Sequence, residues 1–368
     1  MAQFTAVAQA HAVPVKAVPV AVGGGGFDQS PMPIPMDMLT NQFGYAAAKR
    51  MLMMECGWPV GLADSILRSM SVTPYRVFLI DDSGSMGAND GNMLHQGPRG
   101  FVKVSCTRWK ELVQCIKFHA KLAHIAQAPS EFRLLNGGNP VELGTPATMD
   151  GTNLQILFSL LDGQFGGGTP LCFHISQVVQ RANMMNHSLR QNRQKLSFTI
   201  FTDGESSDGD IAAALRPLER LPVWTVVRLC TDQDNVVNYW NNVDDNLELE
   251  MDVLDDLFGE REEVVAHNPW INYCEPLHRL REFGSHFKCM DLLDESKLKG
   301  DHLRDTLSIL LGGEPNSFPH PDVDPKALQA HVEMLLRDTP LVMDPKHLKM
   351  KPIIKVHRLG PSSGCVLQ

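Results

Sequence analysis

The chain has 368 residues, 43% of them apolar, which is enough to bury a substantial core in one large domain or two small ones. A formal net charge of -9 argues against a general nucleic-acid binder, which would display a strongly basic face. The eight cysteines are dispersed, without Cys-x-x-Cys spacing, and this fits a reducing, cytoplasmic compartment better than a disulfide framework.

Residues 1–36 are rich in Ala, Val, Pro and Gly, and they predict a disordered arm that builds no core. Pro14 and Pro19 interrupt its apolar run and Lys16 is its only cation, so a secretory signal is not expected. Met1 to Phe27 contains no acid, but it lacks the Arg and Ser richness of a transit peptide. No stretch approaches the ~18 uninterrupted apolar residues that span a bilayer. Residues 37–72 read as a helical lead-in, with helices over Tyr45–Cys56 and Leu62–Met70 separated by Gly57-Trp58-Pro59.

From Tyr75 onward strands alternate with helices, which predicts an α/β domain over residues 73–313: a doubly wound, mainly parallel central sheet with helices on both faces. Val77–Ile80 is the first strand, and a polar, Gly-rich stretch runs from Gly87 to Gly100. Trp109, Leu112, Val113, Ile116 and Ala120 recur at helical spacing before Pro129. A strand over Glu131–Leu135, a short edge strand over Pro140–Gly144 and a helix over Leu154–Leu161 follow. Thr169 precedes Pro170, in the N-cap place of a helix carrying Leu171, Ile175, Val178, Val179 and Ala182. Strands over Leu196–Thr202 and Val223–Leu229 flank a helix over Ile211–Leu218.

The acidic stretch Asn242–Glu263 carries both a helical and an alternating apolar pattern, and a helix is expected from Met251. A helix over Leu277–Phe283, a last strand over His286–Leu292 and a helix over Leu303–Leu311 complete the unit. His267 and His278 flank Asn268-Pro269-Trp270-Ile271-Asn272-Tyr273, read as a structural patch. Residues 314–368 hold a Pro-rich linker, a short amphipathic helix over Lys326–Leu336 and an irregular basic tail.

Asp81-Asp82-Ser83-Gly84-Ser85 places a carboxylate and two hydroxyls, each two residues apart, just past the first strand. Thr169 follows Gly166-Gly167-Gly168, and Asp203 ends the Leu196–Thr202 strand. Ligand sites of open parallel sheets lie outside the carboxyl ends of the strands, where Asp81 and Asp203 both fall. Every candidate ligand is a hard oxygen, which selects Mg²⁺, or Mn²⁺ or Ca²⁺, over Zn²⁺.

Asp-x-Ser-x-Ser, then a loop Thr, then an Asp ending another strand resembles the metal-ion-dependent adhesion site (MIDAS) of von Willebrand factor type A (vWA) domains, in order and in loop position. The resemblance spans residues 75–312 and implies the Rossmann-like vWA fold. It implies that Ser83 and Ser85 bind the metal directly, Thr169 directly or through water, and Asp81 and Asp203 mainly through water. Asp81 would also orient the serines. It further implies a non-catalytic module whose metal takes a carboxylate from a protein partner. The stretch between Met86 and Cys106, the helical lead-in and the tail depart from a minimal domain of this kind.

Two other readings stay open. One is metal-dependent phosphoester or ester hydrolysis at the same loops, with Glu205 as general base. The other is a scaffold in which the metal is only structural. A phosphatase of the haloacid-dehalogenase-like class would need an Asp where Ser83 stands, and Gly166–Thr169 is not followed by the Gly-Lys-Ser/Thr of a P-loop. Cys365-Val366-Leu367-Gln368 is a Cys-a-a-X ending, preceded by Lys346, Lys349, Lys351, Lys355 and Arg358. The pair of signals points to prenylation at Cys365 with peripheral membrane association.

Overall fold

The computed structural model describes residues 42–359, apart from 99 and 232. The N-terminal arm, residues 37–41 and the Cys365 ending therefore lie outside the described residues, which all belong to the unit Pro33–Gln368.

Two helices lead in, α1 (Gln42–Arg50, continued by a wider π turn over Met51–Glu55) and α2 (Val60–Val72). The central sheet then assembles from β1 (Tyr75–Ile80), β4 (Ser130–Leu134), β5 (Val141–Leu143), β6 (Leu196–Thr202), β7 (Val223–Leu229) and β8 (Met251–Leu254). Between β1 and β4 the chain makes a hairpin, β2 (Gly91–Gly97) and β3 (Gly100–Cys106), and helix α3 (Arg108–Ala126). Helices α4 (Thr152–Leu161) and α5 (Leu171–Gln191) lead to β6, α6 (Ile211–Leu215) to β7, and α7 (Asp234–Asp245) to β8. The strand order is β5-β4-β1-β6-β7-β8, with only β5 antiparallel to its neighbour. The chain steps from β1 to β4 on one side and later to β6 on the other, so the connections diverge at the carboxyl ends of β1 and β6.

Two-residue periodicity in β1 divides the core. Phe78 and Ile80 join Leu112 and Ile116 of α3 on one face, while Val77 and Leu79 join Ile175 and Val178 of α5 and Trp240 of α7 on the other. The doubly wound α/β architecture expected from the alternating pattern is thus the one present.

The first face is covered further by α8 (Leu257–His267), α9 (Glu275–Glu282), α10 (Lys288–Glu295) and α11 (Gly300–Leu311). Helix α2 lies so close to the end of α11 that a Cβ on Gly61 would come within 2.3 Å of the Gly312 nitrogen, which is why glycine stands there. Helix α9 is charged yet buried, because its ions pair inward. Glu282 meets Arg228 of β7 (3.3 Å), Arg279 (2.7 Å) and His119 of α3 (3.3 Å), while Arg281 meets Asp252 (3.0 Å), Glu260 and Asp294 (3.1 Å).

Before α11, four segments differ from the sequence reading. The Gly87–Gly100 stretch enters the β2–β3 hairpin, whose strands bury little and so carry little apolar alternation. Helix α7 was not foreseen. Met251–Leu254 is a strand, not the start of a helix: pairing with β7 satisfies its backbone, and Arg281 pairs with Asp252, the acid it turns inward. His286–Leu292 is not a strand, since most of it lies in α10, where Cys289, Met290 and Leu293 are buried at helical spacing. So short an apolar run does not choose between the two periods.

Asn268, Trp270, Asn272 and Tyr273 of the polar and aromatic patch are buried, and Asn268 donates to the carbonyls of Leu293 (2.7 Å) and Ser296 (2.8 Å). Beyond α11 the chain forms α12 (Pro325–Leu336) and a second hairpin, β9 (Val342–Asp344) and β10 (Lys349–Lys351), so the tail is not wholly irregular. Phe318, Leu328, Val332, Val342, Ile353 and Leu359 join the same apolar cluster as α3. Much of the basic run is engaged internally. Lys351 and His347 bind the buried Asp344; against the opposing effect of burial they hold its carboxyl down at about 2. Lys346 reaches Glu262 (3.3 Å), and Lys355 donates to the carbonyl of Ile271 (3.1 Å). No helix among the described residues is long and apolar enough to cross a membrane.

Candidate metal centre

The site begins where β1 ends. The Asp81 amide donates to the Phe201 carbonyl (2.9 Å), extending the pairing of β1 and β6 by one residue and fixing Asp81 between the two strand ends. Its buried carboxylate accepts the Ser83 amide on Oδ1 (2.9 Å) and the Thr202 hydroxyl on Oδ2 (2.8 Å). Burial pushes the Asp81 carboxyl above its ordinary value, and hydrogen bonds from the Ser83 hydroxyl and amide and from the Thr202 hydroxyl oppose that shift.

Ser83 is buried and Ser85 exposed, with their hydroxyl oxygens 2.9 Å apart. The Ser85 hydroxyl donates to Oδ1 of the buried Asp203 (2.8 Å). A continuous line of oxygens runs from the buried Ser83 through the exposed Ser85 to the buried Asp203, joining the loops after β1 and β6.

The loop bearing Thr169 is laced to both. Gly166 donates to the Asp82 carbonyl (2.7 Å), and Gly84 donates to the Gly167 carbonyl (3.3 Å). On the other side, the Thr169 amide donates to the Ser207 hydroxyl (3.0 Å) and its carbonyl accepts the Ser207 amide (2.9 Å). Asn136, just past β4, bridges the loops: its side chain donates to Asp82 Oδ1 (2.9 Å) and to the Gly168 carbonyl (3.0 Å). Gly167 has φ +108°, and a Cβ there would stand 2.5 Å from Asn136 Oδ1. Glycine is required on both counts.

The structure thus brings Ser83, Ser85 and Asp203 into direct contact, holds Asp81 behind Ser83, and places Thr169, half-buried, on a loop tied to both neighbours. One role differs from expectation. Thr169 is not the N-cap of α5: Pro170 holds that position, and Asp208 accepts the first free amides, from Cys172 (3.0 Å) and Phe173 (2.9 Å). Pro170 has ψ +59°, outside the helical range, so the helix starts one residue later, and Asp208 does the capping.

Sequence reading also missed Arg108, in the first turn of α3. Its Nη1 donates to Asp203 Oδ2 (2.8 Å), while Nε (2.6 Å) and Nη2 fork onto the Asp90 carboxylate. The hydrogen bond to Asp90, with Asp203 beside it, raises the Arg108 pKa still further, so it is a fixed cation. No spacing rule connects it to Asp203. Thr202 and Asn136 were missed as well, although a Thr directly before a strand-end Asp is a readable signal.

Two carboxylates and at least two hydroxyls at neighbouring positions, all hard oxygens, suit Mg²⁺, Mn²⁺ or Ca²⁺. Arg108 offsets part of their negative charge. Glu205, two residues past Asp203, is exposed, as are Phe165 and Phe173, which flank the Gly166–Thr169 loop in sequence.

No family model matches the sequence, and no curated protein matches it. Among solved structures, the chain is similar to the crystal structure of the SpRpn10 VWA domain, with 12% identity and a TM-score of 0.32, over 50% of this chain and 88% of that one. It is also similar to the crystal structure of the conserved hypothetical protein BatB from Bacteroides thetaiotaomicron, with 14% identity and a TM-score of 0.25, over 42% of this chain and 65% of that one.

Proposed function

We propose that this chain is a vWA-like protein-interaction module that holds Mg²⁺, or Mn²⁺ or Ca²⁺ in its place, on Asp81, Ser83, Ser85, Thr169 and Asp203, and receives a carboxylate of an acidic partner. The observation that carries the reading is the hydrogen-bonded line Ser83–Ser85–Asp203, which joins two strand-end loops of an open parallel sheet at its switch point. A bound cation would supply a coordination position open to an oxygen from outside the chain.

The chain's own residues prepare that position. Asp81 fixes the Ser83 backbone and is itself fixed by Thr202, so the buried half of the site is organised before a partner arrives. Ser85 is the exposed member of the line, which makes it the oxygen nearest an approaching partner. Asn136 and Gly167 keep the third loop against the first.

The test is a pull-down from native extract in Mg²⁺ against EDTA, with Ser83→Ala as control. A partner retained only in Mg²⁺, and lost with Ser83→Ala, is the expected result. Calorimetry in which Asp81→Ala takes up Mg²⁺ or Mn²⁺ as well as the unaltered chain does would sink the metal site.

A further inference from the structure

We propose that Arg108 is a built-in competitor of the cation at this site: its guanidinium holds the Asp203 carboxylate that the ion would use, so Arg108 and its outer partner Asp90 set how tightly a divalent ion binds. The inference rests on the metal-site reading above and deepens it.

Asp203 is buried, and both of its oxygens already have donors, the Ser85 hydroxyl on Oδ1 and Arg108 Nη1 on Oδ2 (2.8 Å each). Arg108 is only 5% exposed, and two more of its donors, on Nε and Nη2, are bound to Asp90. Swinging the guanidinium away from Asp203 would bury a cation with one partner fewer. It therefore stays in place and adds a like charge beside any ion that approaches the Ser83–Ser85–Asp203 oxygens. Asp90 pulls the other way, since its carboxylate screens that charge. It stands just before β2, so the same pair ties the hairpin to the metal loops.

The experiment titrates Mn²⁺ and Mg²⁺ calorimetrically into the full chain and into R108Q, R108K and D90N. Removing a unit charge a few ångströms from a divalent ion in a partly buried site tightens binding about tenfold or more, so R108Q gains that factor. R108K keeps the charge and stays within about threefold of the unaltered chain. D90N loses the screening carboxylate and binds about threefold to tenfold more weakly. Damage to the fold would weaken all three alike, so opposite signs for R108Q and D90N mark charge competition.

R108Q binding no tighter than the unaltered chain, while Asp81→Ala abolishes uptake, overturns the role of Arg108 and leaves the metal site standing. If neither the unaltered chain nor R108Q takes up either ion, both readings fall.

Discussion

Asn136→Ala isolates the bridge that holds the candidate site's loops together before any ion or partner is present. Three hydrogen bonds meet there: the Asn136 amide to Asp82 Oδ1 (2.8 Å), its side chain to the same oxygen (2.9 Å), and its side chain to the Gly168 carbonyl (3.0 Å). Alanine keeps the first and removes the other two. A bond to a charged group contributes about 1.5–3 kcal/mol and a neutral one about 0.5–1.5, and Asn136 is exposed enough to favour the low end of each, so the expected loss is about 2 kcal/mol. Losing that side-chain bond also adds to the burial that already pushes the Asp82 carboxyl above its ordinary value. Urea denaturation in EDTA, followed by tryptophan fluorescence, measures the change free of metal binding. A loss below about 0.5 kcal/mol would refute the claim that this side chain joins the two loops.

Gly167→Ala forces a side chain into φ +108° and against Asn136, and should cost about 1–3 kcal/mol in the same assay; an unchanged midpoint would contradict the strain argument. Glu282→Ala takes from the buried Arg228 and Arg279 one carboxylate each, leaving them Glu111 and Glu275, and should cost about 3 kcal/mol, a reading that a loss under about 1 kcal/mol would end. The histidines should tilt the pH dependence: from pH 7 to pH 5.5 the unaltered chain should lose stability relative to the double variant H119Q/H278Q, a comparison that cancels the opposite effect of Asp252 and Asp255, whose carboxyls burial pushes up to about 7. Burial lowers the pKa of His119 and His278 in the fold, so below about 6.5 the unfolded chain takes up protons that the folded one refuses, costing up to about 1 kcal/mol for each. Glu282 acts in the same direction at lower pH: despite its burial, Arg279 holds it well below its ordinary value, so its contribution is complete above that value and lost as pH falls from there. An identical pH dependence in the two chains would refute the histidine argument. Farnesylation at Cys365 predicts an intact mass from the native cell carrying the lipid and a Cys365→Ser form that leaves the membrane fraction; an unmodified, full-length C-terminus would exclude it.

Where a signal was local, the sequence carried it. Leu196–Thr202 and Val223–Leu229 are buried parallel strands with the expected limits, because continuous apolar runs bounded by turn residues have one economical placement in a sheet covered on both faces. The period-two spacing of Asp81, Ser83 and Ser85 is equally local, and so is the Asp203 that ends its strand. Short or weakly apolar segments were different. Met251–Leu254 and most of His286–Leu292 changed type because a neighbouring strand and two neighbouring helices, not their own periodicity, decided the backbone.

The chemical character of the site, hard oxygens at strand ends, was therefore determined by the sequence alone. Its charge was not. Arg108 reaches Asp203 across 95 residues, and Asn136 reaches Gly168 across 32. A guanidinium or an amide carries no mark in sequence of which distant carboxylate or carbonyl it will meet. Only folding of the sheet brings α3 and the end of β4 to the carboxyl ends of β1 and β6, and with that placement the tertiary structure decided which carboxylate of the site carries a guanidinium partner.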